Sequence, residues 1–311
     1  VTNKWIKKGF VFAHNEDCKS DWWQSHTMAP SAIQLNNGSL RIYFGAWDSK
    51  KISSITYIDV DSSDPRKVLY VEKTTPVLTF GEDGMFDENG VFPGHAYNHE
   101  GEIYLYYTGF QLGHKVRHYN FGGLALSSDG TNFIRTSQAP ILDRAEEGLY
   151  VRAGQSTLVE KGKFHNVYSA GSGWFNLAGE DRPVYDVFYQ NNNDGKTMAD
   201  KGNKIVECDF TKEHGLGRPQ ITKIGDDYYT FYTRRTVDFK YFIGCSKSKD
   251  LVTWVRADDE FSFTHSNTGF DSEMIYFPSV VYAKDVDKYY LFYSGNYFGR
   301  DGIGFAELVR E

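Results

Sequence analysis

Cysteine is scarce in this 311-residue chain: Cys18, Cys208 and Cys245 are three, odd in number and far apart. That spacing supports neither a disulfide framework nor a zinc site, and reduced thiols in a cytoplasmic protein are the expectation. Basic runs are lacking too. The formal net charge is −7, and no Lys/Arg cluster is present to neutralise phosphates, which speaks against a nucleic-acid partner. No apolar stretch reaches the roughly 18 residues that a membrane span needs. The opening V-T-N-K-W-I-K-K is too polar for a secretion signal, in line with the cytoplasmic expectation. A nucleotide cradle is rejected, because the glycine-rich G-S-G-W at 171–174 has no helix behind it. His114 and His118 stand four apart where no helix is expected, so they make no metal pair.

What the chain has in abundance is Tyr, Phe and Gly, 22, 23 and 30 of them, the composition of twisted sheets joined by turns. These residues are arranged in a phrase that occurs five times: a short apolar strand opened by a small residue or proline, a tight polar turn, then an aromatic-rich strand ending in a small residue. Taking Pro30, Pro93, Gln155, Pro219 and Pro278 as equivalent points, the steps are 63, 62, 64 and 59 residues. Strand repeats of this length predict a radial or solenoid array. Further strands follow in most copies, as in G-G-L-A-L-S-S-D-G-T-N-F-I-R from Gly122 and F-I-G-C-S-K-S-K-D-L-V-T-W-V-R from Phe242. That predicts four antiparallel strands per unit, the make-up of a propeller blade. The fifth unit reaches the C-terminus one strand short. W-I-K-K-G at Trp5–Gly9 resembles the W-V-R that ends the fourth unit, so the N-terminal strand is expected to complete the last blade and close the ring. The fold class expected is all-β: one five-bladed propeller domain over residues 1–311.

In a propeller the first strand of each blade lines the channel, and the residues just before it rim one mouth. Those rims are polar: His26; Asp87, Glu88 and Asn89; Tyr150 and Arg152; Glu213, His214 and Arg218; Asp271, Glu273 and Tyr276. Separated carboxylates in a funnel suit glycosidic bond cleavage, in which one carboxyl protonates the leaving oxygen and another activates water or attacks the anomeric carbon. Asp87, Glu213 and Glu273 are the expected catalytic set. His26, Arg152, Arg218 and Tyr276 are expected to bind substrate, with Trp22 and Trp174 as sugar platforms. The two arginines could equally hold an anionic sugar, a phosphate or a neighbouring carboxylate.

The motifs F-D-E-N-G-V-F-P (86–93), G-R-P (217–219), D-S-E-M-I-Y-F-P (271–278) and Y-S-G-N-Y-F-G-R-D-G-I-G-F-A (293–306) resemble the five-bladed propeller superfamily of arabinanases, β-xylosidases, invertases, levansucrases and mannoside phosphorylases. Within it they resemble an uncharacterised branch associated with surface-polysaccharide biosynthesis. The resemblance implies a carbohydrate-active, glycoside hydrolase-like enzyme acting on an oligosaccharide or glycan. It implies no organic cofactor and allows a channel cation such as calcium, for which no ligand set is legible. Its catalytic pattern does not transfer. The A-D-P triplet of the arabinanase type is Met28-Ala29-Pro30 here, the second Asp meets Gly154 and Gln155, and the acid Glu meets Gly217 and Arg218. Two other readings therefore stand beside hydrolysis: a glycosyltransferase or phosphorylase in polysaccharide assembly, and a sugar-binding propeller without turnover.

Overall fold

Strands of alternating aromatic and small residues dominate the molecule, which is a computed structural model describing residues 3–310. Their burial follows from composition: in Leu40–Trp47 all residues but the last are buried, because both faces of the strand meet neighbouring sheets. The repeats fold as antiparallel meanders. The first comprises Ser25–Gln34, Leu40–Trp47, Ser53–Val60 and Val68–Val71. The second comprises Val91–His99, Glu102–Leu112, His118–Ser127 and Ile134–Arg135. Val151–Glu160, Lys163–Leu177, Glu180–Asn192 and Asn203–Val206 form the third. Glu213–Ile224, Asp227–Thr236, Tyr241–Ser248 and Val255–Arg256 form the fourth.

The last meander holds Tyr276–Ala283, Lys288–Ser294 and Ile303–Arg310. Its fourth strand comes from the other end of the chain: Asn3–Phe12 pairs antiparallel with Ile303–Arg310, with Trp5 opposite Leu308. Short parallel bridges, Val151 to Asn120 and Tyr185 to Gly215, join neighbouring meanders edge to edge. The apolar clusters lie between adjacent meanders. Phe12, Phe44 and Phe305 pack where the last meets the first, and Ile243, Ile275 and Leu291 where the fourth meets the last. Curled sheets packed face against face in this way are consistent with a β-propeller. No helix among the described residues is long and apolar enough to cross a membrane.

The inner strands carry the geometry that matters for a site. Each has a bulge at the same point of the repeat, seen as a register shift at Met28/Ser31, Pro93/His95, Ala153/Ser156, Gly217/Gln220 and Tyr276/Ser279. A side chain at or just past each bulge accepts a backbone N–H from the adjacent inner strand. Ser31 Oγ accepts from Ala96 at 2.7 Å, His95 Nδ1 from Thr157 at 3.3 Å and Ser156 Oγ from Ile221 at 3.2 Å. Gln220 accepts from Val280, and Ser279 Oγ from Ala32 at 3.0 Å, which returns the circuit to the first strand. A second set of bonds explains why the aromatic strand ends in a small residue. Ser294, Thr108 and Thr233 accept the amides of Ala29, Gly154 and Phe277 at 3.0, 3.1 and 2.8 Å. All three amides belong to left-handed residues, at φ 55°, 69° and 56°. Gly154 has a further reason to be glycine, since a Cβ there would lie 2.9 Å from the Arg218 Cα.

Arg218 fills the axis between the inner strands. Its Nε donates to the Pro93 carbonyl at 2.7 Å, Nη1 to Pro278 at 3.1 Å, and Nη2 to Ala29 and Pro30 at 3.2 and 2.6 Å. One guanidinium thus ties the inner strands of the first, second and last meanders to the fourth. Burial without a counter-ion lowers its pKa to about 9, which leaves it charged at neutral pH.

Two stability measurements follow. Arg218→Met deprives the carbonyls of Ala29, Pro30, Pro93 and Pro278 of their donor, and urea denaturation should show a loss of about 3 kcal/mol or more; a loss below about 1 kcal/mol would contradict the role assigned to it. His95 must stay unprotonated at Nδ1 to accept from Thr157, and burial, then the charge of Arg218, pushes its pKa down to about 3 from 6.5. The unfolded chain takes up that proton first, so the contribution is whole above pH 6.5 and lost as pH falls toward 3. The slope reaches about 1.4 kcal/mol per pH unit. His95→Gln keeps an acceptor, as Gln220 does in the fourth meander, and should flatten the melting temperature between pH 6.5 and pH 4; an unchanged slope would contradict this.

Candidate active site

Register fixes where the mouth lies. The second strand of each meander returns to the level at which the inner strand starts, with Ser25 opposite Trp47, Val91 opposite Gly109, Val151 opposite Gly171, Glu213 opposite Thr236 and Tyr276 opposite Ser294. The hairpins joining second and third strands therefore project past the inner-strand starts. They form the wall of the mouth together with the rims.

The rim carboxylates divide into two groups. Asp87 is fully buried and salt-bridged to Arg135 of its own meander's fourth strand at 2.8 Å, and that guanidinium sits over the Tyr107 ring. Glu213 is fully buried between Arg234 and Arg256, at 2.8 and 2.7 Å, with Arg256 over Tyr232. Asp271 pairs with Lys7 at 2.7 Å and accepts from the Tyr293 hydroxyl at 2.9 Å. In the third meander Arg152 pairs with Glu147 at 2.9 Å, and Glu147 accepts from the Tyr168 hydroxyl at 2.7 Å. One motif has thus been built into these meanders: a carboxylate, a cation and a tyrosine, enclosed within the sheet. The tyrosines Tyr107, Tyr168, Tyr232 and Tyr293 each precede the small hydroxyl residue of the strand end. Asp87, Glu213 and Arg152, expected to meet substrate, belong to this motif and offer a ligand almost no surface. Arg218 likewise turns inward to the carbonyls instead of outward.

Glu273 differs, being exposed two residues beyond Asp271. Its carboxylate accepts from the Tyr297 hydroxyl, which stands on the hairpin 295–302. Tyr297 and the next residue, Phe298, are both left-handed, at φ 51° and 60°. Consecutive non-glycine residues in that region are strained, and such strain gathers at functional sites. Phe298 packs edge-on against Tyr241 and Tyr276, and Tyr276 against Phe277, which covers the Arg218 guanidinium and meets Phe92 across the axis. His26 stacks on Trp47 at 3.9 Å and bonds Ser25 Oγ through Nδ1 at 2.8 Å. Burial, opposed by the backbone of Tyr297, lowers the His26 pKa to about 4, so its imidazole is neutral at pH 7. Asp301 ends this hairpin, with Arg300 at 2.7 Å and Asn296 at 3.1 Å holding its pKa below the usual carboxylate range.

His26 and Glu273 are therefore brought together at the mouth, while Tyr276, packed beneath Phe298, is fully buried and offers a ligand no surface. Trp22 is not among them: it stacks on Trp23 and donates to Thr74 at the outer end of the first meander. Trp174 is 48% exposed, against Tyr150 on the long third hairpin. The residues that reading the rims missed are Tyr185, Arg235, Tyr241, Tyr297, Phe298 and Asp301, all on second and third strands or the hairpin between them. Their one legible signal was N-Y-F-G-R-D-G, a loop too aromatic and too charged for a plain turn.

The residues present do not fit a channel cation. The carbonyls that converge on the axis already accept from Arg218, and among the described residues no three His, Cys, Asp or Glu side chains gather as metal ligands. Two grooves elsewhere, about 530 and 780 Å³, lie along the fourth meander, one beside Lys212 and Asp259 and the other beside Trp5 and Phe261.

No family model matches the chain. Two uncharacterized proteins from strains of Mycobacterium tuberculosis are similar to it, each 28% identical over 304 residues, covering 98% of this chain and 99% of theirs. Solved structures of similar shape include a glycosyl hydrolase from Bacteroides ovatus, with a TM-score of 0.73 at 16% identity over 99% of this chain and 94% of that one. An exo-1,5-α-L-arabinanase from a bovine ruminal metagenomic library has a TM-score of 0.63 at 11% identity, over 92% and 94%. An enzyme from Xanthomonas citri complexed with xylotriose has a TM-score of 0.64 at 14% identity, over 93% and 88%. The solved structures that this chain resembles are thus glycoside hydrolases of the arabinanase and xylosidase propeller superfamily, and theirs is the fold it shares.

Proposed function

We propose that the chain is a single five-bladed β-propeller that binds carbohydrate at the mouth just described and acts there as a glycoside hydrolase-like enzyme. The five amide-to-side-chain bonds that run from inner strand to inner strand and return to their start support the blade count. The observation that carries the function is the pairing of exposed aromatic faces, Tyr297 and Phe298, with the exposed carboxylate of Glu273. Sugar rings offer C–H faces that stack on aromatics and hydroxyls that bond to carboxylates. Glycosidic cleavage needs a proton donor to the leaving oxygen and a second, ionised carboxylate. We assign the first role to Glu273 because it is the carboxylate exposed at the mouth. Asp301, kept ionised chiefly by Arg300, suits the second. The glycosidases of similar fold, including one solved with xylotriose, agree with this reading.

Binding without turnover is the second reading, favoured by Ala29, Gly154 and Gly217 standing where the arabinanase pattern has carboxylates. Transfer or phosphorolysis would show itself as dependence on a nucleotide-sugar or on phosphate.

On a panel of aryl glycosides and oligosaccharides, Glu273→Gln should lower turnover by about 10²-fold or more with an unchanged melting temperature. Asp87→Asn and Glu213→Gln should instead each cost about 3 kcal/mol in urea denaturation. Full turnover in Glu273→Gln would remove Glu273 from the chemistry. Stable but inactive Asp87→Asn or Glu213→Gln proteins would return those carboxylates to it.

A further inference from the structure

We infer that the mouth selects an anionic carbohydrate and that Arg235 holds its carboxylate or phosphate. This deepens the carbohydrate reading above and rests on it. Among the described residues, the arginines that are buried or partly buried nearly all face a carboxylate within ion-pair distance: Arg41, Arg135, Arg152, Arg182, Arg234 and Arg256. Two do not. Arg218 is satisfied by carbonyls of the axis. Arg235 has only phenols: Nη1 donates to the Tyr185 hydroxyl at 2.9 Å, and the guanidinium lies 5.7 and 5.8 Å from the ring centres of Tyr185 and Tyr241. A guanidinium carries five N–H donors in a planar fork matched to a carboxylate or phosphate. Here it is held in place by two aromatic rings and left without an anion.

The surroundings are shaped for such a guest. Arg235 lies opposite Gly215 in the strand register, and the Tyr185 ring lies over both inner-strand glycines, 2.7 Å from a Cβ added at Gly215 and 3.4 Å from one added at Gly217. The two glycines leave room for this phenol beside the guanidinium. The Tyr276 hydroxyl belongs to the same cluster: it is buried beside the backbone of Gly299, and its ring packs on Tyr241 at 5.2 Å. An oxyanion on Arg235 would have phenol donors within the same cluster. His214 beside it has its pKa lowered, first by burial and then by the charge of Arg235, which favours its neutral form, so Arg235 is the cation there. Charge-assisted bonds from a partly desolvated arginine are the strong kind, and they discriminate an acid from its neutral isostere.

The test is calorimetric titration of the full chain with trigalacturonate and with neutral galactotriose, with glucose 6-phosphate and with glucose, and with inorganic phosphate alone. The acidic member of a pair should bind about tenfold or more tightly than its neutral counterpart. The preference should shrink between 50 and 500 mM salt, roughly as a Coulombic contact is screened, and vanish in Arg235→Gln. Preference for trigalacturonate identifies a uronate carboxylate; preference for glucose 6-phosphate and inorganic phosphate identifies a phosphate. Because Arg235→Gln could fail to fold, the acid-to-neutral ratio and its salt dependence in the unaltered protein stand as evidence by themselves. Equal binding of acidic and neutral sugars overturns the inference and leaves the carbohydrate reading intact. An acidic preference that survives in folded Arg235→Gln removes Arg235 from it. No binding by any saccharide overturns the carbohydrate reading and this inference with it.

Discussion

A backbone amide accepted by a side chain of the neighbouring inner strand is the interaction on which the rest of the molecule depends. The bulge in each inner strand turns that amide out of its own sheet and toward the next one. The left-handed residues that make the turn, Ala29, Arg218 and Phe277, each stand before a proline, where the backbone is most restricted. Such residues cost of order 1–3 kcal/mol each and persist only where the surroundings over-determine them. Here the over-determination is visible. Hydroxyls of Ser294 and Thr233 take the turned amides of Ala29 and Phe277, and the Arg218 guanidinium gathers the carbonyls left on the axis. The mouth stands directly above this braced floor, and Phe277 belongs to both.

Bracing also explains why carboxylates at the rims make poor guides to chemistry. A polar residue entering a buried strand must find a partner, and the partner offered in four meanders is a cation stacked on, or beside, the tyrosine of the second strand. The same acidic residue type, at nearly the same place in the repeat, is thereby a clamp at Asp271 and a solvent-facing group at Glu273. Two residues of separation move the side chain from the interior of a sheet to the mouth.

The repeat, its strand–turn–strand content and the pairing of the N-terminal strand with the C-terminal one could be read from spacing, because period and turn chemistry are local properties. The strand-end hydroxyls were visible as small residues, but not their purpose, which lies in the adjacent meander. The burial of Asp87 and Glu213 was not legible, since Arg135 and Arg256 lie 48 and 43 residues away and only pairing across the meander joins them. Nor was Arg235. It sits beside Arg234 in sequence, yet strand alternation sends one guanidinium to Glu213 and the other to the phenols of Tyr185 and Tyr241.

The central claim is that ligand meets the mouth above Arg218 and not the carboxylates enclosed in the sheets. A crystal structure of the chain with a bound oligosaccharide tests it most directly. The account predicts a sugar ring against Tyr297 and Phe298, within hydrogen-bonding reach of Glu273, with the Asp87–Arg135 and Glu213–Arg256 pairs undisturbed. A sugar seated instead in the groove beside Lys212 and Asp259, or one that opens the Glu213 clamp to reach its carboxylate, would contradict it.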